Sequence, residues 1–195
     1  LVDAPVTYNS GTSALTKSGA GAMRMTKANT YNGATTINGG TLMIGGAHGG
    51  AGDISVNNGS KLVVEAAGSI ANCPTITLAG GATFDVSALA GGFTLGATKV
   101  LQGSGIVTGA VATSAGSLIM PGGTAAAGTL VFTNDLALNA TTTNYFEIAD
   151  NPWIGGGTND LVCVATNLAA ANSRISIGLL GPPTNATYRL INYGG

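Results

Sequence analysis

Asn29-Thr30-Tyr31-Asn32-Gly33-Ala34-Thr35-Thr36-Ile37-Asn38-Gly39-Gly40-Thr41-Leu42-Met43-Ile44 is the stretch that decides the fold. It holds two short alternating runs joined by a Gly-Gly corner, with Ile37 before the corner and Leu42 and Ile44 after it. Successive side chains of a strand face opposite sides, so these three residues can share one inward face. The arrangement then recurs. Ile54-Ser55-Val56 is followed by a turn at Asn57-Asn58-Gly59-Ser60 and by Leu62-Val63-Val64. Ile76-Thr77-Leu78 is followed by a corner at Ala79-Gly80-Gly81 and by Phe84-Asp85-Val86. Ile37, Val56 and Leu78 are equivalent positions, which sets steps of 19 and 22 residues. Short strands and small turns at a period near twenty are the signature of a solenoid. The expected fold is all-β: a single-domain parallel β-solenoid with rungs of about 20 residues and little or no helix. The expected core is Ile37, Leu42, Ile44, Val56, Leu62, Val64, Ile76, Leu78, Phe84 and Val86.

The same stretch carries a resemblance. Tyr31-Asn32-Gly33-Ala34-Thr35-Thr36-Ile37-Asn38-Gly39-Gly40-Thr41-Leu42 resembles the autotransporter-associated β-strand repeat of bacterial surface proteins, and the lead-in Leu15 to Gly21 is similar to that family as well. Residues 101–111 and the Pro121-Gly122-Gly123 tract look like later parts of such passengers. The resemblance implies a secreted or cell-surface location and a stalk or adhesive surface. It implies no chemistry.

Composition supports a stacked scaffold. Charged residues are 8% of the chain, hydrophobic residues 45% and aromatics 5%, and 32 of 195 residues are Gly. A globular enzyme carries about a quarter charged residues, and a disordered chain has few aliphatics. Thr, Asn, Gly and Ala take the place of charges, and they can ladder from rung to rung without accumulating like charge. Net charge is −1, and the basic residues are scattered apart from Lys17, Arg24 and Lys27. Nucleic acid binding needs a concentrated basic face, so nucleic acid is excluded as a partner. No apolar run reaches the ~18 residues of a membrane-spanning helix. The chain starts at Leu1 with no signal peptide pattern, so the reading is a processed or trimmed product.

The chain divides into residues 1–13, an opening strand that caps the first rung or reaches another subunit; 14–139, the repeat solenoid; and 140–195, a C-terminal portion of the same solenoid with longer loops. Tyr188 to Tyr193 reads as a closing strand, Glu65 to Asn72 as a loop or helical turn, and Pro121 to Gly128 as a wide turn. Gly45 to Gly52 reads as a Gly-rich loop holding the one histidine, His48. The expected role of His48 is structural or simply exposed, since Asp53 is the one nearby group that could pair with it. Cys73 and Cys163 lie four or five rungs apart, too far for a disulfide within one subunit. Two small buried thiols are expected, and a bridge between subunits is the alternative.

No catalytic, cofactor-binding or metal site is expected. Polysaccharide-active β-helices gather carboxylates on neighbouring rungs. Here Asp53 and Asp85 do not fall a whole number of rungs apart, and Glu147 and Asp150 flank a break. Gly49-Gly50-Ala51-Gly52-Asp53 matches a calcium-binding nonapeptide only in part. The enzyme alternative is therefore weak. Two functions remain. One is an extracellular structural subunit of a self-assembling, head-to-tail surface fibre, whose partner is itself. The other is a monomeric passenger stalk that binds surface glycans. The residues expected at the subunit contact are Val2, Val6 and Tyr8 at one end and Tyr188, Leu190, Ile191 and Tyr193 at the other. Trp153 reads as a core plug or, for the stalk, as a sugar platform.

Overall fold

The computed structural model describes residues 4–7, 11–149, 158–182 and 187–194. Three parallel sheets run side by side along the stack, and the described residues contain no helix. The first sheet stacks Leu15–Lys17 (β1), Thr35–Ile37 (β3), Ile54–Val56 (β5), Thr75–Leu78 (β7), Val100–Gly103 (β10), Leu118–Pro121 (β13), Thr143–Ile148 (β16) and Arg174–Leu179 (β19). The second stacks Ala22–Met25 (β2), Thr41–Ile44 (β4), Lys61–Val64 (β6), Thr83–Asp85 (β8), Ile106–Thr108 (β11), Thr129–Phe132 (β14), Leu161–Val164 (β17) and Ile191–Tyr193 (β20). The third begins only at the fourth rung, with Phe93–Leu95 (β9), Val111–Thr113 (β12), Leu136–Leu138 (β15) and Leu168–Ala170 (β18).

Register explains the core. In the second sheet Met23, Leu42, Leu62, Phe84, Val107, Phe132 and Val164 are successive partners, and from Leu42 to Val164 all are buried. In the first sheet Ile54, Ile76, Leu101, Ile119 and Asn144 form the matching column. Phe93, Val111, Leu136 and Leu168 supply the third. All ten expected core residues are buried. Each is removed from water by its own rung and the next, so stability is a nearest-neighbour sum. A buried Leu or Ile contributes roughly 1.5–3 kcal/mol. The period drifts because loops vary while register holds. Ile37 pairs with Val56 and Val56 with Leu78, the steps of 19 and 22 residues, whereas Asn144 pairs with Ile175, 31 residues on.

Several expectations are narrowed or corrected. The Gly45–Gly52 loop is partly woven into the stack: Asn29 pairs with His48, and Ala47 with Ser69, in single parallel bridges. These bridges stand where the third sheet later runs. His48 is consequently buried, not exposed. Residues 65–72 turn without helix and reach the stack through Ser69. Pro121 ends a strand and does not begin the turn; it stands opposite Gly103, and Gly122 and Gly123 make the bend with φ of 73° and 92°. The closing strand begins at Ile191, three residues later than Tyr188. Cys163 is only half-buried, because it lies on the outward parity of β17. Cys73 is buried, its thiol 3.1 Å from the Thr75 carbonyl that accepts from it, and burial pushes its pKa up to about 11. Asp150 and Trp153 lie outside the described residues.

Candidate functional site

The two ends of the stack differ. At the N-terminal end Met25 is buried although β2 is the outermost strand of its sheet. Lys17 occupies the inward position below Ile37 and is also buried. Its ammonium donates to the carbonyls of Ser18, Gly19 and Gly39 at 3.0, 2.7 and 2.9 Å. An inward charge at a sheet edge is a recognised means of blunting it. Val6 lies at this same end, tied to its own chain: its N–H donates to Asn29 Oδ1 (2.8 Å) and its carbonyl accepts from the Thr30 N–H (3.0 Å). Val2 and Tyr8 are outside the described residues.

At the opposite end, β19 and β20 are the outermost strands of their sheets. Ile175, Ile177 and Leu179 stand over Asn144, Phe146 and Ile148, which are all buried. They are 57%, 46% and 61% exposed, and Tyr193, over buried Val164, is 58% exposed. Ile191 covers Val162 and is half-buried, while the Leu190 carbonyl accepts from the Val162 N–H (3.0 Å). Tyr188 is half-buried nearby in sequence. Of the expected contact residues, Tyr193 is exposed and Ile191 half-buried on β20, and on β19 Ile175, Ile177 and Leu179, which the sequence reading missed, are exposed as well. The signal was present in the alternation Ile175-Ser176-Ile177-Gly178-Leu179, an inward row like the others.

Groups capable of chemistry are dispersed. Arg24 pairs with Glu65 at 2.8 Å and Lys61 with Asp85 at 2.7 Å, both across rungs on the outer face of the second sheet. Desolvation works against ionisation of Asp85, but bonds from Lys61 and Ser87 outweigh it and hold its carboxyl below the usual carboxylate range. Glu147, expected beside a break, is buried. Its Oε2 accepts the Ala126 N–H (3.1 Å), and Asp160, also buried, accepts the Gly128 and Glu147 N–H groups (2.8 Å each). These carboxylates bind backbone and pin the 122–128 turn and residues 158–160 to the stack. Sequence spacing concealed the pair, because their backbone donors at Ala126 and Gly128 follow no repeat. Among the described residues no three His, Cys, Asp or Glu side chains converge as a metal would require.

Parallel strands in register on three faces define a β-solenoid. Within it, residues 15–44, which are the first two rungs from the start of β1 to the end of β4, match the passenger-associated-transport-repeat family. The match supports an autotransporter passenger-type repeat over that stretch. Comparison with curated proteins and with solved structures gave no significant match.

Proposed function

We propose that this chain is a non-catalytic structural element of a secreted bacterial cell-surface passenger, and that it elongates head to tail with further copies of itself into a fibre. The observation that carries the reading is the set of exposed apolar side chains Ile175, Ile177 and Leu179 on β19 and Tyr193 on β20. These side chains have the inward parity of a core, and among the described residues no strand pairs with the outer edge of β19 beside them. Such an edge is a template for another strand. A contact between unlike ends does not close on itself and generates an open filament. In the proposed fibre the opening segment of one copy, around Val6, completes the last rungs of the next by strand addition. The passenger-repeat match over residues 15–44 supports the surface location. The stalk reading, with glycans as ligand, finds less support: the outer positions of the sheets are mostly Thr, Ser, Ala and aliphatic residues.

Electron microscopy and sedimentation of the purified chain test the reading. Filaments that disappear in Ile177→Asp, with the subunit still folded, are the expected result. Monomeric sedimentation at high concentration without filaments overturns it.

A further inference from the structure

We propose that His48 is a proton-sensitive latch, and that its protonation releases the strap at residues 4–7 from the first rungs. His48 is 2% exposed, and neither Nδ1 nor Nε2 has a hydrogen-bonding partner among the described residues. Its surroundings are closed. Tyr31 lies against it with ring centroids 4.7 Å apart, and the Tyr31 hydroxyl is already engaged with Thr35 Oγ1 at 2.9 Å. A Cβ on Gly50 would come within 3.2 Å of His48 Cε1 and would strike the Tyr31 carbonyl oxygen. The titratable groups on the surrounding turns are Tyr31, Cys73, Asp53 and Lys27, and none of them is hydrogen-bonded to the ring.

A buried imidazole of this kind is neutral, because a charge there has neither water nor a counter-ion. Burial accordingly pulls its pKa below the ordinary 6.5. The open form binds the proton more readily than the closed one. The closed form therefore loses stability as pH falls below the ordinary histidine value. The tilted contact with the Tyr31 ring, at 52° between planes, offers a cation some attraction, but much less than full hydration.

The connection to the strap is direct. Asn29 is the bridge partner of His48. The Asn29 N–H donates to Ala47 O (2.8 Å), and the Asn29 carbonyl accepts from the Gly49 N–H (2.7 Å), so the backbone on both sides of His48 holds it. The Asn29 side chain in turn receives the Val6 N–H, and the adjacent Thr30 N–H binds the Val6 carbonyl. Above His48 its N–H donates to the Ser69 carbonyl (2.7 Å), and those rungs are secured by the continuous ladders of the first two sheets. Below it the described residues of the strap are held by these two bonds and by the packing of Val6 against the core, and they are mostly exposed. Opening towards the strap is the route of least resistance for hydrating an imidazolium. The latch stands without the fibre; where the fibre forms, releasing the strap also frees the segment that is exchanged.

The test uses the intact, isotopically labelled protein between pH 7.5 and 5.0, following the His48 imidazole signal and amide exchange corrected for intrinsic rates. Protection at Val6 and Thr30 should fall at least about fivefold in step with the imidazole titration, while Leu62 and Phe84 remain protected. In His48→Leu the strap should keep its protection at both pH values. The latch is overturned if His48 titrates with strap protection unchanged, or if His48→Leu opens to the same extent as the parent. Should the variant misfold, the parent titration still decides, because strap opening at a midpoint apart from that of His48 also overturns it.

Discussion

Phe146 and Ile177 are register partners on adjacent parallel strands and share the inward parity, yet Phe146 is fully buried and Ile177 is nearly half exposed. The difference lies in what is stacked above each. Phe146 has β19 over it; Ile177 faces the outside of the last described strand in its sheet.

The two positions should therefore separate stability from assembly. Phe146→Ala removes a filled core position and should cost about 3–5 kcal/mol. Ile177→Asp places charge where water already reaches and should leave the melting temperature of the subunit within a few degrees, since about 1 kcal/mol corresponds to 2–4 °C at this chain length. Thermal unfolding in parallel with sedimentation checks both. An Ile177→Asp loss as large as that of Phe146→Ala would mean that Ile177 is already part of a closed core.

Much of this architecture was legible because it is local. Ile37, Leu42, Val56, Leu62, Leu78 and Phe84 announce their parity by alternation, and the Gly-rich corners mark where each run ends. The third face was not legible in the first rungs. There the stack is held by single bridge residues, Asn29, Ala47, His48 and Ser69, too few to show a period. Lys17 had the inward parity of its strand. Only the structure shows that three corner carbonyls accept its ammonium, which makes a charge tolerable at that position. The acid pair Glu147 and Asp160 depends on backbone donors from a turn, Ala126 and Gly128, which leave no trace in sequence spacing.

Two corner glycines have similar backbones and should respond differently to substitution. Gly40 has φ of 65° and Gly59 has φ of 71°, so Ala is strained at both, by roughly 1–2 kcal/mol. A Cβ at Gly59 meets nothing within 4 Å, whereas at Gly40 it would strike the carbonyl oxygen of Gly21 on the rung below. Gly59→Ala should show the backbone cost alone. Gly40→Ala should exceed it and disturb the pairing of β2 with β4. Denaturant unfolding of the two variants measures the difference; equal losses would show that the rungs at Gly40 can separate freely.

Asp160 should make the C-terminal rungs more stable in mild acid. Desolvation is the main cause of its raised pKa, with the nearby Glu147 charge adding to it, and the N–H groups of Glu147 and Gly128 oppose the shift without cancelling it. The result is a pKa of about 6, against an ordinary 3.8. The folded form thus holds the proton more tightly than the unfolded form. Its contribution is complete below the ordinary value and is lost as pH rises through about 6. His48 acts in the opposite sense over an overlapping range, at the other end of the stack, so the effect is best read in the His48→Leu background or locally. Amide protection at Gly128 and Glu147, whose N–H groups bind Asp160, should increase between pH 7.5 and 5.0 after correction for intrinsic exchange. Asp160→Asn keeps the shape and removes the titration. It also turns an amide nitrogen towards one of the two donors, so the variant should be less stable throughout and should lose the pH slope. Protection at Gly128 that falls on acidification, or a slope that survives in Asp160→Asn, would reject the assignment.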